Sequence, residues 1–239
     1  MNRKIRLNNL TVLVLNAIVF ISVLWVTLHW LTTDEIDELT GLDFKGIKFF
    51  KAFTSDSNVI NAVSALLAMI FACRNLFSGE EGLPAWLNVL RLITVSSVGL
   101  TFITTALFLA PIEVLLGRSY FLLFMKGNFF LHFFNPVISF ISLSFFERGK
   151  ILTRIDVLLA LIPTAVYSVV YALCVLAFRV WEDFYGFTLG GKYALVPFVF
   201  VATYSVTLLV AWVASVIHNR FSAEKLPHPP GGLYEEPQR

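Results

Sequence analysis

The sequence predicts an all-α fold: a polytopic membrane protein built as a bundle of six transmembrane helices. Three observations predict it. Hydrophobic residues make up 57% of the chain and charged residues only 14%, with a mean hydropathy of +0.77, whereas a soluble domain carries nearer a quarter charged residues. Six apolar stretches are each long enough for the roughly 20-residue crossing that a bilayer demands. The segments between them are short and polar, with no room for an independent soluble domain. In hydrocarbon a backbone must satisfy its own hydrogen bonds, so each span is expected to be helical.

The elements follow in order. Residues 1–9 form a basic start with Arg3, Lys4 and Arg6, and the first span covers about 10–31. That run outlasts the h-region of a signal peptide, and the acidic TTDEIDEL after it has no small-x-small cleavage site, so it reads as a retained helix. The loop that follows ends in DFKGIKFFKAF, with Lys45, Lys48 and Lys51 at three-residue spacing among Phe and Ile. It fits either a short interfacial helix with snorkelling lysines or an irregular basic loop. The remaining spans are read at about 55–77, 86–110, 128–146, 154–178 and 193–217, separated by SGEEGLP, APIEVLLGRSY, ERGKILTR and RVWEDFYGFTLGGK. Asn128, His132 and Asn135 dilute the first half of the fourth span, and Pro111, Pro136, Pro163 and Pro197 mark kinks or helix ends. Residues 219–239, rich in Pro, Gly and charge, are expected to form a disordered tail.

Basic residues orient the bundle. With the N-terminus inside, eleven Lys and Arg fall in inner segments and seven in outer ones, which favours cytosolic N- and C-termini. Arg91 counts among the inner eleven, Arg118 and Lys126 among the outer seven. Trp181, Tyr185 and Tyr193 fit an outer aromatic belt, His29 an interfacial position, and Asp156 a water-facing pair beside Arg154.

Several function classes are disfavoured. A net charge of +2 is too small and dispersed for nucleic-acid binding. Cys73 and Cys174 sit in apolar stretches with no His or Cys at ligand spacing, so neither a metal site nor a disulfide framework is expected. No Gly-x-Ser-x-Gly, His-Glu-x-x-His, phosphate-loop or Cys-x-x-Cys motif occurs. With no charged residue expected at mid-membrane depth, a transporter is disfavoured as well.

Polar residues inside the spans carry the functional signal. Thr54, Asn58 and Asn61 fall at i, i+4 and i+7 in the second helix, with Ser57 and Ser64 beside them. Asn128, His132, Asn135, Ser139 and Ser142 form a matching stripe in the fourth, and Ser97, Thr101, Thr104 and Thr105 one in the third. Because the second and fourth helices both start outside, Thr54 and His132 are expected at similar depth, on stripes that face the bundle. A hydroxyl and an imidazole so placed make a nucleophile and a general base. Asp56, Glu113, Glu182 or Asp183 would orient the histidine, and Asn58, Asn61, Asn128 or Asn135 would stabilise an oxyanion or bind substrate. The same spacing fits a plainer role: Thr54 as a helix cap and the other polar groups as interhelical hydrogen-bonding glue.

FTSDSN at the opening of the second helix, GNFFLHFFNP at that of the fourth and WEDFYGF before the sixth resemble the androgen-induced/FAR-17a-type membrane proteins. The likeness is closer to their bacterial relatives, predicted six-helix integral membrane proteins, and it covers residues 10 to 218. What the resemblance implies is a hydrolase of fatty acid esters of hydroxy fatty acids, with the threonine that opens the second helix and the histidine of the fourth as catalytic pair. In this chain those positions are Thr54 and His132. The bacterial likeness implies a plasma-membrane location, membrane lipids as neighbours, a lipid or small-molecule ligand, and no metal or cofactor. The competing expectation is a non-enzymatic lipid- or small-molecule-binding protein, a sensor or carrier, that uses the same polar pocket.

Overall fold

A computed structural model describes residues 3–33, 45–188 and 191–223. The acidic stretch after the first span and the tail beyond Ala223 lie outside the described residues. Six helices are long and apolar enough to cross a membrane: α1 (Arg3–Thr32), α2 (Phe53–Ser78), α3 (Ala85–Leu115), α4 (Lys126–Phe146), α5 (Arg154–Ala177) and α6 (Val196–Ser222). Among the described residues there is no strand. The chain is an all-α, multi-pass membrane protein.

The helices outrun the apolar stretches at several ends. α1 takes in the basic start, where Arg3, Lys4 and Arg6 remain at or near the surface, as long cations at a membrane boundary do. α6 continues through Ser222, so residues 219–222, expected in the tail, are helical. The lysine-bearing loop ends in a 3-10 turn, Gly46–Lys51, whose buried Phe49 packs on Val26 and Leu131. Pro111, Pro136 and Pro163 fall inside the spans, and Pro197 stands second in α6. Pro111 and Pro136 each stand second in a fresh α-helical segment, directly after a five-residue π turn (Thr105–Leu109 and Phe130–Phe134). A proline removes an N–H and crowds the preceding turn, and widening that turn relieves the crowding.

The bundle is polar inside and apolar outside. Trp25, Val63, Phe77, Leu107, Val166, Phe198 and Trp212 are exposed, while Asn16, Asn58, Asn61, Arg91, Asn135, Glu147 and His218 are fully buried. Apolar groups gain nothing by leaving lipid for the core, so close backbone approach and interhelical hydrogen bonds hold such a bundle together. Ala62 and Ala65 of α2 pack on Val19 and Val23 of α1. Gly99 brings α3 against α6 so closely that a Cβ there would lie 2.6 Å from Val210 Cγ1.

One end of the bundle is closed by a buried ion pair. Arg91 Nη2 lies 2.9 Å from Glu147 Oε1, both side chains without solvent exposure. Asn16 and Ser142 donate to the same carboxylate, and Arg91 Nη1 donates to Asn61 Oδ1 and Ser64 Oγ. Arg91, counted among the inner segments, is the seventh residue of α3 and Glu147 directly follows α4, so the pair lies near the ends of its helices. The water-facing pair expected of Asp156 and Arg154 is corrected. Asp156 is buried and pairs with Lys150, not Arg154, while forming a capping box with Thr153 that starts α5. His218 links the carbonyls of Leu143 and Lys150, and the turn at Gly149 (φ +145°) has no room for a side chain, since a Cβ would meet Asn88 Oδ1 and Leu83 O.

Candidate functional site

At the opposite end, Thr54 and His132 line one cavity of about 300 Å³ together with Glu113, Arg118, Asn128 and Tyr185. Its apolar wall comes from Trp30, Phe49, Leu109, Leu123 and Phe184. The end of α1, the 3-10 turn and start of α2, the end of α3 with the loop after it, the start of α4 and the loop between α5 and α6 all meet there. A second, smaller cavity of about 60 Å³ lies on the other side of Thr54 and Tyr185, bordered by the hydroxyl-bearing Thr101, Thr104, Thr105, Thr164, Ser168 and Thr203.

Asn58 ties the two principal residues together. Its Nδ2 donates 2.8 Å to the carbonyl of Thr54 and 3.1 Å to that of Leu131, the residue before His132. Asn135 Nδ2 donates to Asn58 Oδ1 at 3.3 Å, and Ser22 Oγ donates to Asn135 Oδ1 at 2.6 Å. One amide thus clamps the turn that carries Thr54 to the turn that carries His132. Asn61 is spent differently, between Arg91 and Ser139. Asn58, Asn61 and Asn135 are all fully buried and stand outside the lining of the cavity, whereas Asn128 belongs to it.

The histidine's tautomer follows from its partner. His132 Nδ1 is 2.7 Å from the Leu123 carbonyl oxygen. A carbonyl only accepts, so Nδ1 carries the proton and the neutral ring has its basic lone pair on Nε2. A backbone carbonyl therefore holds the ring. Of the four acids, Glu113 reaches the cavity, where Arg118 Nη2 donates to it at 3.0 Å. Asp56 sits half-buried in the first turn of α2, outside the cavity lining, and Glu182 is exposed.

Asp183 organises the loop that roofs the site. Its carboxylate accepts from the Tyr171 hydroxyl at 2.9 Å, the Phe187 and Thr188 N–H groups at 2.8 Å, and the Thr188 hydroxyl at 2.6 Å. Burial pushes this carboxyl up, but those donors together outweigh it and hold the group below its ordinary value. The loop so fixed turns Tyr185 inward over Thr54 rather than outward into an aromatic belt, while Tyr193 is exposed as a belt residue would be.

Tyr185 also stands where α2 begins. The N-cap residue is Ala52, which has no side chain to cap with. Tyr185 lines the same cavity as Thr54 beside this end, with the Thr54 hydroxyl and the N–H groups of Thr54 and Phe53 as its polar neighbours. Burial drives this phenol above its usual range against the pull of those neighbours. Tyr167 closes the other flank by donating to the Lys51 carbonyl at 2.6 Å. Lys126, at the rim, adopts a left-handed backbone (φ 52°) where α4 starts, a conformation costing about 1–2 kcal/mol outside glycine.

Tyr185, Tyr167 and Arg118 are the site residues that sequence reasoning missed. The signal for Tyr185 lay in DFYGFT: an Asp followed by Gly and Thr at turn spacing marks a folded loop, not a loose aromatic segment. No protein-family model, curated protein or solved structure matches the chain.

Proposed function

We propose that the protein is an intramembrane, threonine-dependent hydrolase of fatty acyl esters, as the likeness to the FAR-17a-type proteins implies, with Thr54 as nucleophile and His132 as general base. The observation that carries this reading is the Asn58 clamp. A single buried amide holds the backbone of Thr54 and the residue before His132, on the wall of one cavity, and registering two reacting groups is what general-base catalysis demands. The bond from His132 Nδ1 to the Leu123 carbonyl supports it further, since it fixes the ring that would act as the base.

In this mechanism His132 Nε2 takes the Thr54 hydroxyl proton as Oγ attacks the ester carbonyl, then passes it to the departing alcohol. The acyl-threonine is cleaved by water with His132 again as base, releasing the fatty acid and restoring the hydroxyl. The N–H groups of Phe53 and Thr54 open α2; a substrate carbonyl oxygen arriving there would meet these donors at a helix N-terminus. Asn128 is the cavity amide that remains for the headgroup. The acyl chain enters from the outer leaflet, with both termini cytosolic and the host membrane a bacterial plasma membrane. No metal or cofactor takes part.

A second reading has its own observation. Thr54 stands in the first turn of α2 with Tyr185 beside it on the wall of both cavities, which fits a helix-opening residue in a lipid- or small-molecule-binding site. The two are separated by purified Thr54→Ala and His132→Ala proteins, assayed with fluorogenic acyl esters and an acylating probe. The hydrolase reading expects losses of about 100-fold or more for each, and labelling that vanishes with Thr54. Folded variants that hydrolyse and label like wild type would sink it and leave the binding protein.

A further inference from the structure

A third space lies away from the Thr54 site. Between α3, α4 and α6 runs a groove of about 330 Å³ whose walls include Gly99, Phe102, Val137, Phe140, Val210 and Val213, with no charged or amide side chain among its lining residues. Gly99 is the fifteenth of the 31 residues of α3, Val137 the twelfth of the 21 of α4, and Val210 the fifteenth of the 27 of α6. The groove therefore sits halfway along three membrane-spanning helices. At that depth a bilayer offers hydrocarbon chains and nothing polar, and the volume is within the range of small-ligand pockets.

Two features connect the groove to the site. Along α4, Pro136 on the groove follows His132 by four residues, about 6 Å at the helical rise. A chain of edge-to-face rings leads from one to the other: Phe102, which lines the groove, meets Phe133 at 5.8 Å, and Phe133 meets Phe124 at 6.5 Å. Phe124 follows Leu123, whose carbonyl holds the His132 ring. Phe133 is 40% exposed, so its ring has lipid on one side into which it can swing.

We propose that this groove is the acyl-chain subsite of the Thr54–His132 centre, taking the distal part of a long fatty acyl chain whose ester carbonyl lies at Thr54, with Phe133 as the door between them. The inference rests on the hydrolase reading and adds what that reading lacks: a preference for long, unbranched chains and a mid-membrane route for them. Short acyl groups end before the door and do not use the groove.

The test fills the groove from two walls. Val137→Trp and Val213→Trp proteins are assayed in proteoliposomes with butyryl and palmitoyl esters of one fluorogenic alcohol. The ratio of palmitoyl to butyryl kcat/KM is expected to fall by about tenfold or more, as steric changes of a few methylenes in an apolar pocket do, while Val63→Trp, on the exposed face of α2, leaves the ratio at the wild-type value. An unchanged ratio in both groove variants overturns the proposal. If wild type hydrolyses neither ester, the hydrolase reading fails by itself. The groove is then judged on Thr54→Ala protein with a palmitoyl ester bearing a terminal diazirine. Crosslinks to groove residues that excess palmitoyl ester competes away support the subsite; crosslinks no richer there than those of a diazirine phospholipid mean resident bilayer lipid only, and overturn it.

Discussion

The two ends of this bundle spend the same kinds of residue in opposite ways. At one end, Arg91 and Glu147 are wholly buried and every neighbour, Asn16, Asn61, Ser64 and Ser142, is turned onto them. At the other, the pair Arg118–Glu113 is 45% and 15% exposed and stands on the wall of a cavity. Asparagines knit both ends, but only the second leaves space between the helices they join. Satisfied polar groups make a fastening, and polar groups around a void make a place for a ligand. The difference lies in packing, not composition.

Breaking the fastening should have the largest effect. Glu147→Ala leaves a guanidinium buried without its counter-charge, a loss of about 3–5 kcal/mol, read as a collapse in unfolding midpoint in micelles. Arg91→Met combined with Glu147→Leu should recover most of that loss, because the double variant strands no charge. If Glu147→Ala unfolds like wild type, the contrast between the ends is wrong.

Asn58→Leu tests the link between fold and site. The bonds it loses are worth about 1–2 kcal/mol in a membrane bundle, a modest shift in midpoint. Turnover should fall further than stability does, with kcat affected more than KM, since Asn58 is a positioning residue that touches no substrate. Equal, small effects on both would make it mere glue.

The smallest effect belongs to the roof. Asp183→Asn keeps one accepting oxygen but removes the charge and the second acceptor, about 1 kcal/mol, confined to residues 183–188 and visible as faster hydrogen exchange there with the global midpoint unmoved. Its pH dependence has a definite sign. A carboxyl held below the ordinary 3.8 in the folded loop contributes stability that is full above that value and is lost as pH falls through the lower folded one. The protection factors of the loop amides, exchange corrected for its intrinsic pH dependence, should therefore stay flat from neutrality to about pH 4 and fall below it.

What was legible in the sequence was what hydrocarbon dictates locally. Six spans stood out because no other backbone survives in lipid, and Thr54 and His132 because polar residues at helical spacing must face inward. What escaped depends on distant partners. Glu147 directly follows α4 and is 56 residues from Arg91, so each looked like a surface charge until folding joined them. Tyr185 has the composition of an interfacial aromatic, and only the turn held by Asp183 sends it over Thr54. The three asparagines Asn58, Asn61 and Asn135 were placed correctly on inward faces, but spacing cannot tell an amide that lines a cavity from one that bridges two backbones.

The buried pair also constrains how the chain is made. A helix bearing Arg91 would reach the membrane before Glu147 has been synthesised, and a lone guanidinium is costly in hydrocarbon. α3 would wait near the interface until the end of α4 leaves the ribosome, then settle as the carboxylate arrives. The first four helices would thus mature as one unit, with α5 and α6 added against a surface already set, and the Thr54 cavity would open only after its opposite end had shut.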